Sequence, residues 1–548
     1  MEEEKVINIK FNIIAIICII IFCFAITPVT LQNDTYYTIK IGEHILKNGI
    51  DMQDPFSWHE NLPYTYPHWL YDVITYLIYN VLGMYGIYVS TIIFTCILGI
   101  MIFITNKYIS KNNLTSFILT LTALYFINDF IAARAQLVTF ILFVLEILFI
   151  EKYIETSKKK YCIFLIIISL AIANLHVAVW PFFFVLFMPY IGEYLIANIR
   201  NTQKITKLKI KILKLRIKIF SKIGKNIERT ESKINVFKDR LARGEEVIKL
   251  KDEKAYKIKI KEYKNVRILI FTLVICIFTG LITPLKLTPY TYLIKTIQGN
   301  TTENISEHLP MVLAENIKEV MVLVLPLSIL IFTDTKIRLK DLFMLAGLIT
   351  LSIATRRQYS MLVVIGGFSI NILICSFIQK YDFKTNQKIV KLMCTIIGRI
   401  ITLLLICIIC FFLCKEKIND TIINTREYPV QAAEWMKDNL DVQNIRLYNE
   451  YNYGSYLLYK DIPVFIDSRA DLYAPEFNGQ NIDIFSDFIN ISNIGIHYEK
   501  KFEQYGITHV ICYKNAKINL FISRDKNYKL IYQDDYFVIY ERLSAKSE

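Results

Sequence analysis

The chain has 548 residues, is 54% hydrophobic and has a mean hydropathy of +0.37. That is too apolar for a soluble protein of this length and too long for one helical bundle without accessory parts, so the sequence describes an integral membrane protein. The formal net charge of +14 is local: residues 200–267 carry 23 Lys+Arg against 8 Asp+Glu, which leaves the remainder near neutral.

Crossing a bilayer takes about 20 apolar residues. Eleven segments qualify or nearly do: 11–30, 86–105, 114–128, 135–151, 161–175, 178–198, 267–283, 318–333, 341–354, 359–378 and 392–413. The first has the length of a secretory signal, but no small-x-small cleavage site follows it and ten more apolar segments do, so it reads as a retained helix. Lys and Arg concentrate on the cytoplasmic side of membrane proteins. With the N-terminus inside, loops 106–113, 151–160, 199–266, 334–341 and 379–391 face the cytoplasm, and each is rich in lysine. An odd number of spans then places everything after residue 414 outside. The expected organisation is an N-terminal membrane region (1–198, with its first outer loop at 31–85), a basic cytoplasmic insert (199–266), a second membrane region (267–414) and an extracytoplasmic domain (415–548). Ten of the eleven cysteines lie in or beside apolar segments, where a thiol behaves as a small hydrophobe; only Cys512 falls in a soluble stretch, so no disulfide framework is implied.

The first outer loop begins "TPVTLQNDTYYTIKIGEHILKNG" at residue 27, and carries Asp34, Glu43, His44, Asp51, Asp54 and His68. Further along the same face come Asp129 and Arg134, Asn174 and His176, Glu307 and His308, and the pair Arg356–Arg357. Ionisable residues at the edge of hydrocarbon are costly and point to a functional cavity with internal partners. A carboxylate can act as general base toward a hydroxyl, while Arg and His neutralise phosphate. Plainer roles stand beside each: Asp34 as a helix cap, Arg134 and one of the arginine pair snorkelling to headgroups, His176 satisfying backbone carbonyls, Glu307 and His308 as loop surface. Transport is disfavoured, because the spans hold almost no charge apart from Glu146, whereas transporters keep polar groups near the midplane.

Within the insert, "ITKLKIKILKLRIKIF" alternates apolar and basic residues, and charged helix follows. A helical insert laid against anionic lipid headgroups accounts for both. No aromatic-interleaved RNA motif or zinc module accompanies the charge, so nucleic acid is not an expected partner.

Residues 415–548 alternate helix-like and strand-like pieces: "AAEWMKDNL" helical, "IRLYNE", "PVFIDS" and "THVICYK" strands, and "YKLIYQDDYFVIYER" a hairpin turning at Asp534–Asp535. Asp467, Arg469 and Asp471 could pair among themselves, and their spacing does not indicate a metal site.

The run "DTYYTIKIGEHILKNGIDMQDPFSWHENLPYTYPHWLYDVITYLIYNVLGMYG" resembles the first outer loop of a large bacterial family of multispan proteins, and "ARAQLVTF", "ANLHVAVW", "TPLKLTPYTYL", "ISEHLP" and "ATRRQYSML" match further motifs in order. That family looks like the GT-C class of polytopic glycosyltransferases, which includes protein mannosyltransferases, aminoarabinose transferases and oligosaccharyltransferases. The resemblance implies a GT-C-like fold of about eleven transmembrane helices with a small outer α/β domain, and transfer of a sugar from a polyprenyl-phosphate carrier at the outer face of the plasma membrane. It implies Asp34 as the catalytic carboxylate, and the basic residues on the same face, Arg134, His176, and Arg356 or Arg357, would then hold the donor phosphate. Glu43, His44, Glu307, His308 and Tyr453 then line the acceptor side or the pocket, Tyr453–Gly454 standing where oligosaccharyltransferases carry Tyr-Gly. The sequence names no definite cofactor and leaves a divalent cation open, and the acceptor is not specified. The sequence departs from the class at Asn33, where many members have a second acid, at Ala135 and at Val177. The alternative is a non-catalytic scaffold or lipid-handling protein on the same fold.

Overall fold

The computed structural model describes residues 2–200, 202–222, 228–242, 257–261, 265–299, 304–479 and 482–543. In chain order the helices are α1 (Glu2–Ile26), α2 (Asn33–Asn48), α3 (Trp69–Ser110), α4 (Asn113–Phe126), α5 (Ala135–Thr156), α6 (Lys160–Leu175), α7 (Trp180–Arg200), α8 (Thr202–Lys222), α9 (Glu228–Ala242), α10 (Val266–Thr279), α11 (Thr288–Gln298), α12 (Ile317–Phe332), α13 (Leu339–Ala354), α14 (Gly367–Tyr381), α15 (Phe383–Cys394) and α16 (Ile396–Lys415). Each of the eleven apolar segments overlaps at least one of these helices, although 359–378 begins before α14 and 392–413 crosses from α15 into α16. Among the described residues five stretches are long and apolar enough to cross a membrane: Val6–Ile26, Trp69–Ser110, Val177–Asn198, Arg356–Tyr381 and Ile396–Lys415. α4, α6 and α10 are apolar but shorter. The protein is therefore a multispan membrane protein.

The bundle closes on itself. α1 packs against α16, and Lys417 Nζ donates to the last carbonyls of α1 at Ala25 (2.9 Å), Ile26 (2.7 Å) and Thr27 (3.2 Å). An ammonium there satisfies orphan carbonyls and complements the negative end of the helix dipole. Inside the bundle Glu146 is fully buried, and neither carboxyl oxygen has a hydrogen-bond partner among the described residues.

A second core lies over one end of the bundle. It joins α2 and the loop that follows it to the C-terminal residues, so that Tyr36, Tyr37, Leu62 and Tyr66 pack with Tyr448, Tyr456 and Phe465. Residues 33–66 thus share a core with the C-terminal domain, while α2 also packs on α3, where Ile39 meets Ile87. That domain contains α17 (Val430–Asn439), α18 (Tyr451–Tyr459) and a four-stranded sheet in the order β3-β4-β6-β5, counting β1 (Ile258–Lys259) and β2 (Ile337–Arg338) elsewhere. β3 (Leu447–Tyr448) is parallel to β4 (His509–Tyr513), and β5 (Tyr528–Gln533) and β6 (Phe537–Arg542) form the expected hairpin, with Asp534 Oδ1 accepting from the turn amides of Tyr536 and Phe537 at 2.8 and 2.7 Å. "PVFIDS" does not join this sheet; among the described residues it makes one bridge, Ser57 to Val464, to the loop after α2. The loop uses that segment's hydrogen bonds instead.

The stitching between loop and domain is polar and buried. Arg469, 3% exposed, lies 2.7 Å from Asp54 and 2.7 Å from Asp467, both carboxylates fully buried. Trp58 Nε1 donates to Leu447 O at 2.9 Å, and His59 Nε2 to Phe465 O at 2.8 Å. Burial pushes the His59 imidazole down to about 4, so it stays neutral there.

Candidate active site

α2 begins at Asn33, with Gln32 as its N-cap and no side-chain cap bond. Asp34 is therefore not the cap. It lies in the first turn, where the helix dipole favours a carboxylate, and its helical spacing puts it on one face with Tyr37 and Thr38. That face lines a cavity of about 380 Å³ between the bundle and the C-terminal domain.

Four other elements reach the same cavity. Arg134, the N-cap of α5, forms an ion pair with Asp34 Oδ2 (Nε to oxygen 2.9 Å) and donates from Nη1 to Glu307 Oε1 at 3.3 Å. His176 fills the break between α6 and α7. Glu307 and His308 enter from the segment before α12, and Arg357 from the turn after α13. Backbone pairing fixes the last two together: Arg357 N donates to Glu307 O at 2.9 Å and Arg356 N to Leu309 O at 3.0 Å. The C-terminal domain closes the cavity with Tyr451, Asn452, Ser468, Arg469 and Asp471. Asn33 Nδ2 donates to Tyr451 O at 3.0 Å, and Tyr292 of α11 donates to Asp471 Oδ2 at 2.5 Å.

The cations differ in what they have left to offer. Arg134 and Arg469 are each held by two carboxylates. Arg357 has no carboxylate within ion-pair distance among the described residues, so its guanidinium is uncommitted. His308 is held below its usual range by burial and by Arg357, and His176 far below it by burial, Arg357 and His68. Thr139 donates its hydroxyl to Ala135 O at 2.8 Å, so at 3.0 Å it can only accept from His176 Nδ1–H. His176 then presents an unprotonated Nε2, an acceptor rather than a cation, which argues against the expected phosphate contact. Burial works against the Glu307 carboxylate, but Arg134 and Arg357 hold its pKa below the ordinary range.

Of the ten residues assigned to the site from the sequence, Asp34, Arg134, His176, Glu307, His308 and Arg357 meet at this cavity. Four do not. Arg356 is turned aside, its Nε donating to Pro310 O at 3.3 Å. Glu43 and His44 line a separate depression of about 300 Å³, Glu43 paired with Lys40 and Lys47 and His44 with Asp51. Tyr453 is fully buried and donates to Ile511 O at 2.8 Å, because Gly454 lets α18 press so close to Ile466 that a Cβ there would lie 2.0 Å from its carbonyl. Tyr37, Tyr451, Asn452 and Tyr292 were not singled out. Their only sequence signal is aromatic or amide, which membrane-interface residues share.

A divalent cation does not fit between the two carboxylates, since the Arg134 guanidinium stands there and would repel it. Among the described residues no group of three His, Cys, Asp or Glu side chains is arranged to hold a metal.

No protein-family model matches the sequence, and no curated protein matches it. Solved structures do. The oligosaccharyltransferase of Archaeoglobus fulgidus tethered with an acceptor peptide aligns with a TM-score of 0.53 at 9% identity, over 92% of this chain and 69% of that one. The archaeal oligosaccharyltransferase AglB from the same organism, in complex with an inhibitory peptide and a dolichol-phosphate, aligns at 0.53 and 10% identity, over 91% and 69%. The chain has an oligosaccharyltransferase-like fold. In this oligosaccharyltransferase-like frame the cavity lies where the spans meet the C-terminal domain.

Proposed function

We propose that the protein is an inverting glycosyltransferase of the GT-C type, taking a sugar from a polyprenyl-phosphate carrier at the outer face of the plasma membrane. The observation that carries the reading is that Asp34 and the uncommitted Arg357 line one cavity in this fold. The acceptor hydroxyl gives its proton to Asp34 Oδ1, the oxygen Arg134 leaves free, and its oxygen attacks the anomeric carbon. The bond from that carbon to the phosphate oxygen breaks with its electron pair, and Arg357 stabilises the departing anion, the larger part of the catalytic effect. Arg134 positions both Asp34 and Glu307, and His176 Nε2 accepts from a sugar or acceptor hydroxyl. The AglB complex with a dolichol-phosphate supports a lipid-linked donor.

In this reading all eleven apolar helices cross, the N-terminus is cytoplasmic and the C-terminal domain extracytoplasmic, as the lysine distribution favours. The insert rests on anionic headgroups through α8, which exposes Leu208, Ile212 and Leu215 along one stripe between lysines.

The rival is a scaffold that kept the fold without the chemistry, favoured by Asn33 in place of a second acid and by the ion pair already engaging Asp34. Asp34→Asn separates them. Asparagine keeps the shape and removes the proton acceptor, so transfer from an active member of a panel of polyprenyl-phosphate sugars should fall about 10²–10⁴-fold. The change in stability should stay within about 1 kcal/mol, as for a partly exposed ion pair. Undiminished transfer by the variant removes Asp34 from the mechanism.

A further inference from the structure

Asp34 shares its face of α2 with Tyr37, and Tyr37 is the end of a chain of polar groups that the reaction above does not use. His68, the residue before α3, places Nδ1 2.7 Å from Asp72 Oδ1 and Nε2 3.2 Å from the Tyr37 hydroxyl. Asp72 is fully buried, and Tyr37 and His68 both line the cavity. Two contacts build this arrangement. Gly42 permits α2 to approach α3 so closely that a Cβ would lie 2.2 Å from the Asp72 carbonyl oxygen. Val177 N donates to Pro67 O at 2.8 Å, which sets His68 beside His176 with ring centroids 6.3 Å apart.

The chain is directional. A carboxylate only accepts, so Nδ1 of His68 carries a proton. If Nε2 is protonated as well, it donates to the Tyr37 oxygen, and the phenolic proton is free to point into the cavity. If Nε2 is bare, it accepts that proton and Tyr37 has none to offer. We propose, resting on the donor site described above, that Tyr37 donates a hydrogen bond to the phosphate of the lipid-linked sugar, with His68 and Asp72 as the positioning residues that turn its hydroxyl toward the ligand. No covalent bond to Tyr37 is made; its O–H stabilises the negative charge that the phosphate gains as the sugar–oxygen bond breaks.

The groups facing His68 favour the protonated state. Burial and Arg357 oppose it and the neighbouring His176 is neutral, but Asp72 from α3 and Asp34 from α2 raise its pKa above the usual histidine range. Tyr37 is held well above its usual range by burial and by Asp34, so it is a neutral donor. Donation therefore holds below the His68 pKa and is lost as pH rises through it.

The test is calorimetric binding of farnesyl methyl phosphate to the full chain in detergent, across pH 5–9. This probe is a diester, and its single charge does not titrate in that range. Tyr37→Phe keeps the ring and removes the donor, and should weaken binding about tenfold or more. Wild-type affinity should fall at high pH, Asp72→Asn should move that fall to lower pH, and Tyr37→Phe should flatten it. Wild-type affinity and pH profile in Tyr37→Phe overturn the proposal, even if Asp72→Asn fails to fold. The parent reading has its own control: if the wild type does not bind, or Arg357→Ala binds as well as the wild type, the phosphate site itself is wrong.

Discussion

Arg134 is the residue on which the chemistry of the cavity turns. Without a cation between them, Asp34 and Glu307 would face one another as like charges in a partly desolvated space; with Arg134 at 2.9 and 3.3 Å they are held in register. The expected consequence is that transfer is unaffected by a chelator such as EDTA but falls sharply in Arg134→Ala, and a loss of transfer on chelation that added magnesium restores would contradict it. Polar residues at the ends of apolar segments are conspicuous, which is why Asp34, Arg134 and Arg357 were legible in the sequence. Arg469 was legible only as a local charge. Its partner Asp54 lies 415 residues away, and nothing in periodicity or charge links positions so distant. Tyr453 misled for a related reason: a Tyr-Gly pair reads as a motif until packing shows the tyrosine sealed under its own helix.

Among the elements, the apolar helices were the most legible, because a bilayer imposes length and composition on every crossing segment. The kink in α3 had its signal too: Gly83, with φ 63°, breaks the helix near where the second apolar segment begins. Strands were harder. "PVFIDS" has the pattern of a strand but lies buried among neighbours that leave it no ladder, and its pattern cannot tell the two apart. The insert has a boundary that composition hid. β1 pairs in parallel with β2, Lys261 N donates to Glu193 Oε1 at 3.1 Å, and Lys257 Nζ donates to Thr333 O at 2.8 Å beyond the end of α12. Residues 257–261 therefore belong to the bundle. Removing 205–256 and rejoining the ends with a flexible linker should leave thermal stability and transfer intact while weakening binding to anionic vesicles; extending the deletion through 261 should lower stability. Equal behaviour of the two deletions would show that the strand pair contributes nothing.

At the scale of the whole molecule, the proposed topology can be read by impermeant thiol labelling of intact cells. Cysteines at the exposed positions Asn61 and Asn439 should react and one at Ser232 should not, and the opposite pattern would invert the orientation. Asn478, although on the same side, is 1% exposed and would give a false negative. One feature of the architecture also bears on how the protein is made. The first helix is clamped by Lys417, and Asp34 sits in a cavity whose other wall is Arg469 and Asp471. At about 5–20 residues per second, the ribosome needs roughly 20–90 s after Asp34 emerges to deliver that wall. During that interval the nascent loop after α2 has no lid and its aromatic side chains lack the partners that complete their core. A chain that stalls between residues 415 and 469 therefore carries every apolar helix yet holds an unfinished cavity.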